Sequence, residues 1–359
     1  WELAGRKLRV AILDRHEPWR EASWAAAGML SPSPEPSESS VLFPLAKASF
    51  DLYPAWASAI ERVAGITPLI RHEATLELFM GPDAEIERDV FVGEHHRLGL
   101  NTKAISLGAA RKLEPTIGSN ARAAAWLPDE ATIDPRALGH GLILALARRE
   151  VEIHTGADVT SLITDNHRCT GVIAAGREIA AQHVVVAAGC YSSSIEGVQR
   201  YAPVHPVRGQ MAALRPRGAA PSRVLRGPRG YVVPRADGRI IAGSTLENDG
   251  YEKRITPEGQ MKILGAAVEL SSPLASAEIV ETWSGLRPDT PDHLPIIGPV
   301  GEPLGVTIAA GHYRNGILLA AITARLVTQS ILGEELSLDI TPYSPLRFAG
   351  VVRRATELG

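Results

Sequence analysis

Cysteine is scarce in this chain of 359 residues: Cys169 and Cys190 are the two present, both in a β-rich stretch. A pair so placed argues against a disulfide framework, fits a reducing compartment, and reads as two small buried hydrophobes. Basic blocks are missing as well. With a formal net charge of −3 and no lysine-rich or arginine-rich run, nothing marks a nucleic-acid surface, which points to a small-molecule partner. No apolar run reaches the roughly 18 residues needed to span a bilayer, and no signal-peptide pattern opens the chain. A soluble, cytoplasmic protein is the expectation. Disorder is not, because 45% hydrophobic and 21% charged residues suffice for a sizeable core, and the length suits two structural units.

Chemistry concentrates in AAGHYRNGILLA, residues 309–320. Residues 305–310 read as a short apolar strand that Gly311 ends, and Gly316 opens an apolar run with Leu318, Ile322 and Leu326 on one helical face. A helix start favours negative charge through its unpaired backbone N–H groups. Arg314, just before it, adds a planar cationic fork suited to a carboxylate. Taken alone, the segment is equally compatible with a surface turn carrying a solvated arginine.

The first residues, WELAGRKLRVAILDR, read as the end of a helix, a turn at Gly5, and a strand over residues 8–13 that ends at Asp14. In a dinucleotide-binding βαβ unit, an acidic residue ending the second strand lies about 20 residues past the glycine turn and bonds the adenosine ribose. Asp14 fits that place, so the first strand and its GxGxxG turn are expected upstream of Trp1. Residues 159–163, 169–174 and 178–180 have the pattern of a small antiparallel meander with turns at Asp165-Asn166 and Ala175-Gly176. The apolar run 183–189 then reads as a buried parallel strand, ended by small residues where a cofactor approaches or where the core simply stops.

These pieces resemble the D-amino-acid-oxidase-like FAD-dependent oxidoreductases, and within them the glycine oxidase branch of thiamine-biosynthesis type. The resemblance runs nearly end to end. It is carried by LDR at 13–15, SWAAAGML at 23–30, VVVAAG at 184–189, PVRGQ at 206–210, GYVVPR at 230–235, GLRPDTPDHLPIIG at 285–298 and HYRNGILL at 312–319. It implies an α/β fold: an FAD-binding Rossmann-like domain of glutathione-reductase type, interleaved with an α+β substrate domain built on an antiparallel sheet. The implied FAD-binding domain comprises residues 1–65, 128–205 and 286–359, and the substrate domain residues 66–127 and 206–285. The pattern of residues 230–247 agrees, since it reads as a hairpin turning at Ala236-Asp237-Gly238 that would roof the flavin. Residues 46–63, with Leu52, Trp56 and Ile60, have helical spacing, and Pro32, Pro34 and Pro36 mark the loop before them.

Position by position, the resemblance implies noncovalent FAD contacts at Asp14 and Arg15 on the ribose, at Ala22 and Ser23, and at Ala27, Gly28 and Met29 against the isoalloxazine. Small residues suit the last group because backbone must approach a flat ring. It further implies an adenine contact at Val159 and a wrap around the flavin's pyrimidine edge by His312, Tyr313, Arg314, Asn315, Gly316, Ile317 and Leu318. Arg287 and Arg314 match the family's carboxylate-binding arginines, and Tyr231 its active-site tyrosine. The implied reaction is oxidative deamination of glycine or another small amine or D-amino acid, giving an imine and then glyoxylate or another keto acid and ammonia. Dioxygen is the implied electron acceptor, yielding hydrogen peroxide, and a homotetramer the implied assembly. Two positions depart from some glycine oxidases: Leu246 replaces a methionine over the pocket and Arg229 a histidine before the tyrosine. Both read as tuning. A dehydrogenase of the same superfamily, a D-amino-acid or sarcosine oxidase, and a flavin-free fragment remain alternatives.

No metal is expected. His95 and His96 are adjacent, diverge on a helix, and lack a third ligand at usual spacing. Asp289, Asp292 and His293 lack a nucleophile elbow and read as a polar loop near the pocket entrance.

Overall fold

The computed structural model describes residues 1–33, 41–66 and 69–350; Pro34 and Pro36 lie outside the described residues. Besides a small antiparallel sheet of Met29–Leu30, Ala131–Ile133 and Ile70–Arg71, its sheets fall into two groups. Short parallel pairings form the first: Ala11–Leu13 runs beside Glu152–His154, and Val184–Val186 beside Val306–Ala310, which also pairs antiparallel with Ile296–Pro299. The meander Val159–Asp165, Arg168–Ala174 and Arg177–Ala180 packs next to them. Its first turn falls on Asn166-His167, one residue later than expected, and both adopt positive φ.

The second group is one eight-stranded sheet. Its order is Glu278–Asp289, His205–Arg215, Ile240–Gly243, Gly230–Pro234, Val224–Gly227, Thr75–Phe79, Ala123–Leu127 and Lys103–Ile105, with one parallel pairing, between Val224–Gly227 and Thr75–Phe79. Period-2 alternation divides its faces. Ala212, Leu214, Val232, Ile240 and Ala242 pack against the helix Pro257–Leu270, whereas Met211, Ala213, Val233, Ile241 and Trp283 turn the other way, toward Ala25 and Ala27. Both faces are thus covered, which explains why His205–Arg215 is buried at every position between its ends.

Three helices form the other core. Leu42–Ala64, Pro135–Ala147 and Gly316–Leu332 bring Leu45, Ile60, Leu138, Leu318, Ile322 and Leu326 into one apolar cluster. Two polar side chains fix the register there. Ser49 Oγ donates to the Leu318 carbonyl at 2.6 Å and Tyr53 Oη to that of Ile317 at 2.9 Å. Both bonds lie at the start of Gly316–Leu332, where the helix meets the site. Asp134 caps Pro135–Ala147 by accepting from Arg136 N at 2.8 Å. A mixed α/β architecture results, as the sequence pattern predicts. Among the described residues, no helix is long and apolar enough to cross a membrane.

Candidate active site

A cavity of about 2600 Å³ runs between the parallel strands, the helix start at Gly316 and the eight-stranded sheet. Sixteen of the expected site residues are brought to it. At one end lie Asp14, Arg15 and Val159; along its length Ala22, Ser23, Ala27, Gly28 and Met29; and at the helix start His312, Tyr313, Arg314, Asn315, Gly316 and Ile317. Arg287 and Tyr231 reach it from the sheet.

Leu318 is the exception. Its side chain, 3% exposed, turns into the three-helix core, because the helical face that carries it also carries Ile322 and Leu326. Asp289, Asp292 and His293 also stand away from the cavity wall. Asp289 is buried at a strand end and accepts from His293 Nδ1, while Asp292 accepts from Arg347. The His95–His96 pair is occupied by hydrogen bonds, His95 Nδ1 with Thr102 Oγ1 at 2.7 Å and His96 Nε2 with the Thr102 carbonyl at 2.6 Å.

Local geometry explains the tight passage at residues 25–29. Gly28 has φ +74°, and a Cβ there would lie 1.9 Å from the Ile133 carbonyl oxygen. Ile133 N donates to the Gly28 carbonyl at 2.8 Å, and Met29 pairs with Thr132. Two buried donors hold the preceding carbonyls. Arg235 Nη2 reaches Ala27 O at 2.6 Å and Trp283 Nε1 reaches Ala25 O at 3.0 Å. Sequence reasoning missed both supports, although Arg235 ends the GYVVPR motif. Burial lowers the pKa of Arg235, while Asp134 beside it opposes that shift.

At the other wall, Arg287 donates to Ser244 Oγ at 2.6 Å and to the Thr245 carbonyl at 3.2 Å. Its guanidinium lies over Gly209, where a Cβ would come within 2.2 Å of Nη1. Gly243 plays the same part for Tyr231, whose hydroxyl would stand 2.8 Å from an added Cβ. Ser244, Gly209 and Gly243 were likewise not anticipated; the glycine in PVRGQ is the one visible signal. Leu246 is 56% exposed at the cavity edge, an apolar wall. Arg229 also reaches the edge, but its guanidinium is engaged by Glu269. His312 donates to or accepts from Thr323 Oγ1 at 3.0 Å, and burial pushes its pKa down to about 4, so near neutral pH the ring is uncharged.

Parallel strands, the helix start at Gly316 and an antiparallel sheet bearing Arg287 and Tyr231 line one cavity, the arrangement of an enzyme that binds a dinucleotide-type cofactor. The chain belongs to the family of FAD dependent oxidoreductases, whose model matches residues 1–330. It is 33% identical to the glycine oxidase of Pseudomonas putida, over 96% of this chain and 94% of the relative. It is 34% identical to the bifunctional protein ThiO/ThiG of a Synechocystis species, over 97% of this chain but 51% of that longer protein. Among solved structures it resembles glycine oxidase from Geobacillus kaustophilus, with a TM-score of 0.90, 30% identity, and coverage of 96% of this chain and 93% of the other. FAD is therefore its cofactor.

Proposed function

We propose that the chain oxidises glycine, and other small amines or D-amino acids, to the imine. The observation that carries this reading is the placement of Arg287, Tyr231 and Arg314 on one cavity with the Ala27–Gly28–Met29 passage and the Gly316 helix start. The cavity suits FAD on its own evidence: Gly28 lets backbone come close where any Cβ would collide, and the helix start favours an electron-rich ring edge. Asp14, Arg15 and Val159 would hold its adenosine end, and residues 22, 23, 27–29 and 312–317 its flavin end. Bound there, FAD would supply a two-electron acceptor for a hydride equivalent from the amine's α-carbon, with dioxygen as the terminal oxidant and hydrogen peroxide as its product.

The remaining work belongs to positioning. Arg287 and Arg314 grip the carboxylate, and Tyr231 donates to it, so the α-carbon is held at a fixed place and orientation. Uncharged His312 adds no competing cation. A neutral amine needs no dedicated base in this scheme, and water then hydrolyses the imine to glyoxylate and ammonia. We further assign residues 1–65, 128–205 and 286–359 to cofactor binding and residues 66–127 and 206–285 to substrate binding. A role in thiamine biosynthesis, where the imine is the useful product, is supported by the likeness to ThiO/ThiG. Two buried free thiols favour a reducing cytoplasm, and a homotetramer follows the family resemblance.

The test is kinetic. Arg287→Ala should raise the KM for glycine about a hundredfold, the effect of losing a charge-assisted carboxylate contact, while the flavin absorption spectrum stays unchanged. Wild-type kinetics in that variant would remove the carboxylate assignment.

A further inference from the structure

Arg208 is one of the most deeply buried side chains of the molecule, 2% exposed, yet it is absent from the cavity wall. Its guanidinium is enclosed by Glu247, by Asp249 at 2.5 Å and by the Glu252 carbonyl at 3.4 Å. The two backbones bond as well: Arg208 N donates to Glu247 O at 2.9 Å, and Glu247 N to Arg208 O at 3.0 Å. Gln210, on the same face of the strand, continues the grip. Its Nε2 donates to Glu247 Oε1 and to Thr256 Oγ1, each at 2.9 Å, its Oε1 accepts from Thr256 N at 3.0 Å, and its own N donates to Thr245 Oγ1 at 2.9 Å. Residues 244–256 are thereby strapped to one strand at the start, middle and end.

The start of that strap is where Ser244 Oγ and the Thr245 carbonyl meet Arg287. Arg208 and Arg287 sit on neighbouring strands, with Val207 opposite Arg287 in the register. Arg208 is buried while its carboxylate partners Glu247 and Asp249 keep contact with solvent; desolvating the arginine offsets much of the attraction, and the better-attested use of such a pairing is to select one arrangement over others. Here the arrangement selected is the course of the strap. We propose that Arg208 is a positioning residue for carboxylate binding: by anchoring Glu247 and Asp249 it holds the strap so that Ser244 and Thr245 aim Arg287 into the cavity. The inference rests on Arg287 being the carboxylate ligand.

Acetate, titrated into the FAD-loaded full chain and followed by perturbation of the flavin absorbance, reads this directly. Arg208→Met should weaken acetate binding about tenfold and raise the KM for glycine to match, with FAD content unchanged, since small misplacement of a binding group is costly. Arg208→Lys, which restores the charge without the fork, should recover part of the loss. In an Arg287→Ala background, Arg208→Met should cost nothing further. Should Arg208→Met fail to hold FAD, the double variant Glu247→Gln, Asp249→Asn removes the anchor's partners and should show the same tenfold loss.

The outcomes separate the two claims. Wild-type acetate affinity in Arg208→Met, or in the double variant, overturns the positioning role, as does a tenfold loss that persists undiminished in the Arg287→Ala background. Unchanged acetate affinity in Arg287→Ala alone overturns instead the reading of Arg287 as the carboxylate ligand, and the positioning role with it.

Discussion

A Cβ on residue 209 would stand within 2.2 Å of Arg287 Nη1, so the missing side chain is what lets the guanidinium lie flat over the strand. Gly209→Ala should displace Arg287, raising the KM for glycine about tenfold or more while the protein stays yellow. A colourless variant, or one with unchanged KM, would show that Gly209 serves something else. Titration offers a second test at this scale. Burial pushes the pKa of His95 from its ordinary 6.5 to about 4, with Glu130 opposing, and its Nε2 has no hydrogen-bond partner. Between those two values the unfolded chain binds a proton that the folded chain refuses. Stability is therefore full above pH 6.5 and falls as the pH drops toward 4, by on the order of 3 kcal/mol from this group. Denaturant titrations across that window should show a shallower decline in His95→Gln; an equal decline would assign the loss to other groups. Neither Gly209 nor His95 could be given these roles from sequence, because each depends on a neighbour that folding supplies.

Elements with strong periodicity were legible. The helix Gly316–Leu332 and the hairpin Gly230–Pro234 with Ile240–Gly243 stand where apolar spacing and turn residues indicate. The helix expected over 46–63 extends to Leu42–Ala64, while the strand expected over 8–13 shrinks to Ala11–Leu13, since end residues fray or pair according to their neighbours. Leu318 illustrates the limit: its motif position suggests the flavin, but its helical phase commits its side chain to the core. The passage at residues 25–29 gives the sharpest element-scale prediction. Gly28→Ala combines a positive φ with a collision at the Ile133 carbonyl, and should destabilise the protein by about 3 kcal/mol or more and abolish FAD retention. Normal flavin content after purification would mean the passage is not a cofactor contact.

Across the whole molecule, the cavity lies between the two sheet groups, and contacts beside it tie them together, among them Arg136 to Glu281 and Arg235 to Ala27. Trp283 Nε1 bonds Ala25 O, Lys253 pairs with Glu21, and Tyr251 donates to Cys190 O while stacking on Tyr191, which Arg15 covers from the other side. A cofactor filling this space binds the folded state alone. FAD at a hundredfold over its Kd should thus add about 2.7 kcal/mol, visible as a concentration-dependent rise in Tm of the flavin-depleted protein. A Tm indifferent to FAD would count against the cavity as its site. The class was readable along the chain: scarce cysteine, mixed apolar patterning and ordered short motifs are local properties that survive in one dimension, and they sufficed for the family, the cofactor and the candidates Arg287, Arg314 and Tyr231. What supports them emerges from folding. Arg235 reaches Ala27 across 208 positions of sequence, and Arg287 is held by Ser244 from 43 away. Such contacts are set by strand pairing and packing between distant segments, whose registers no local pattern specifies.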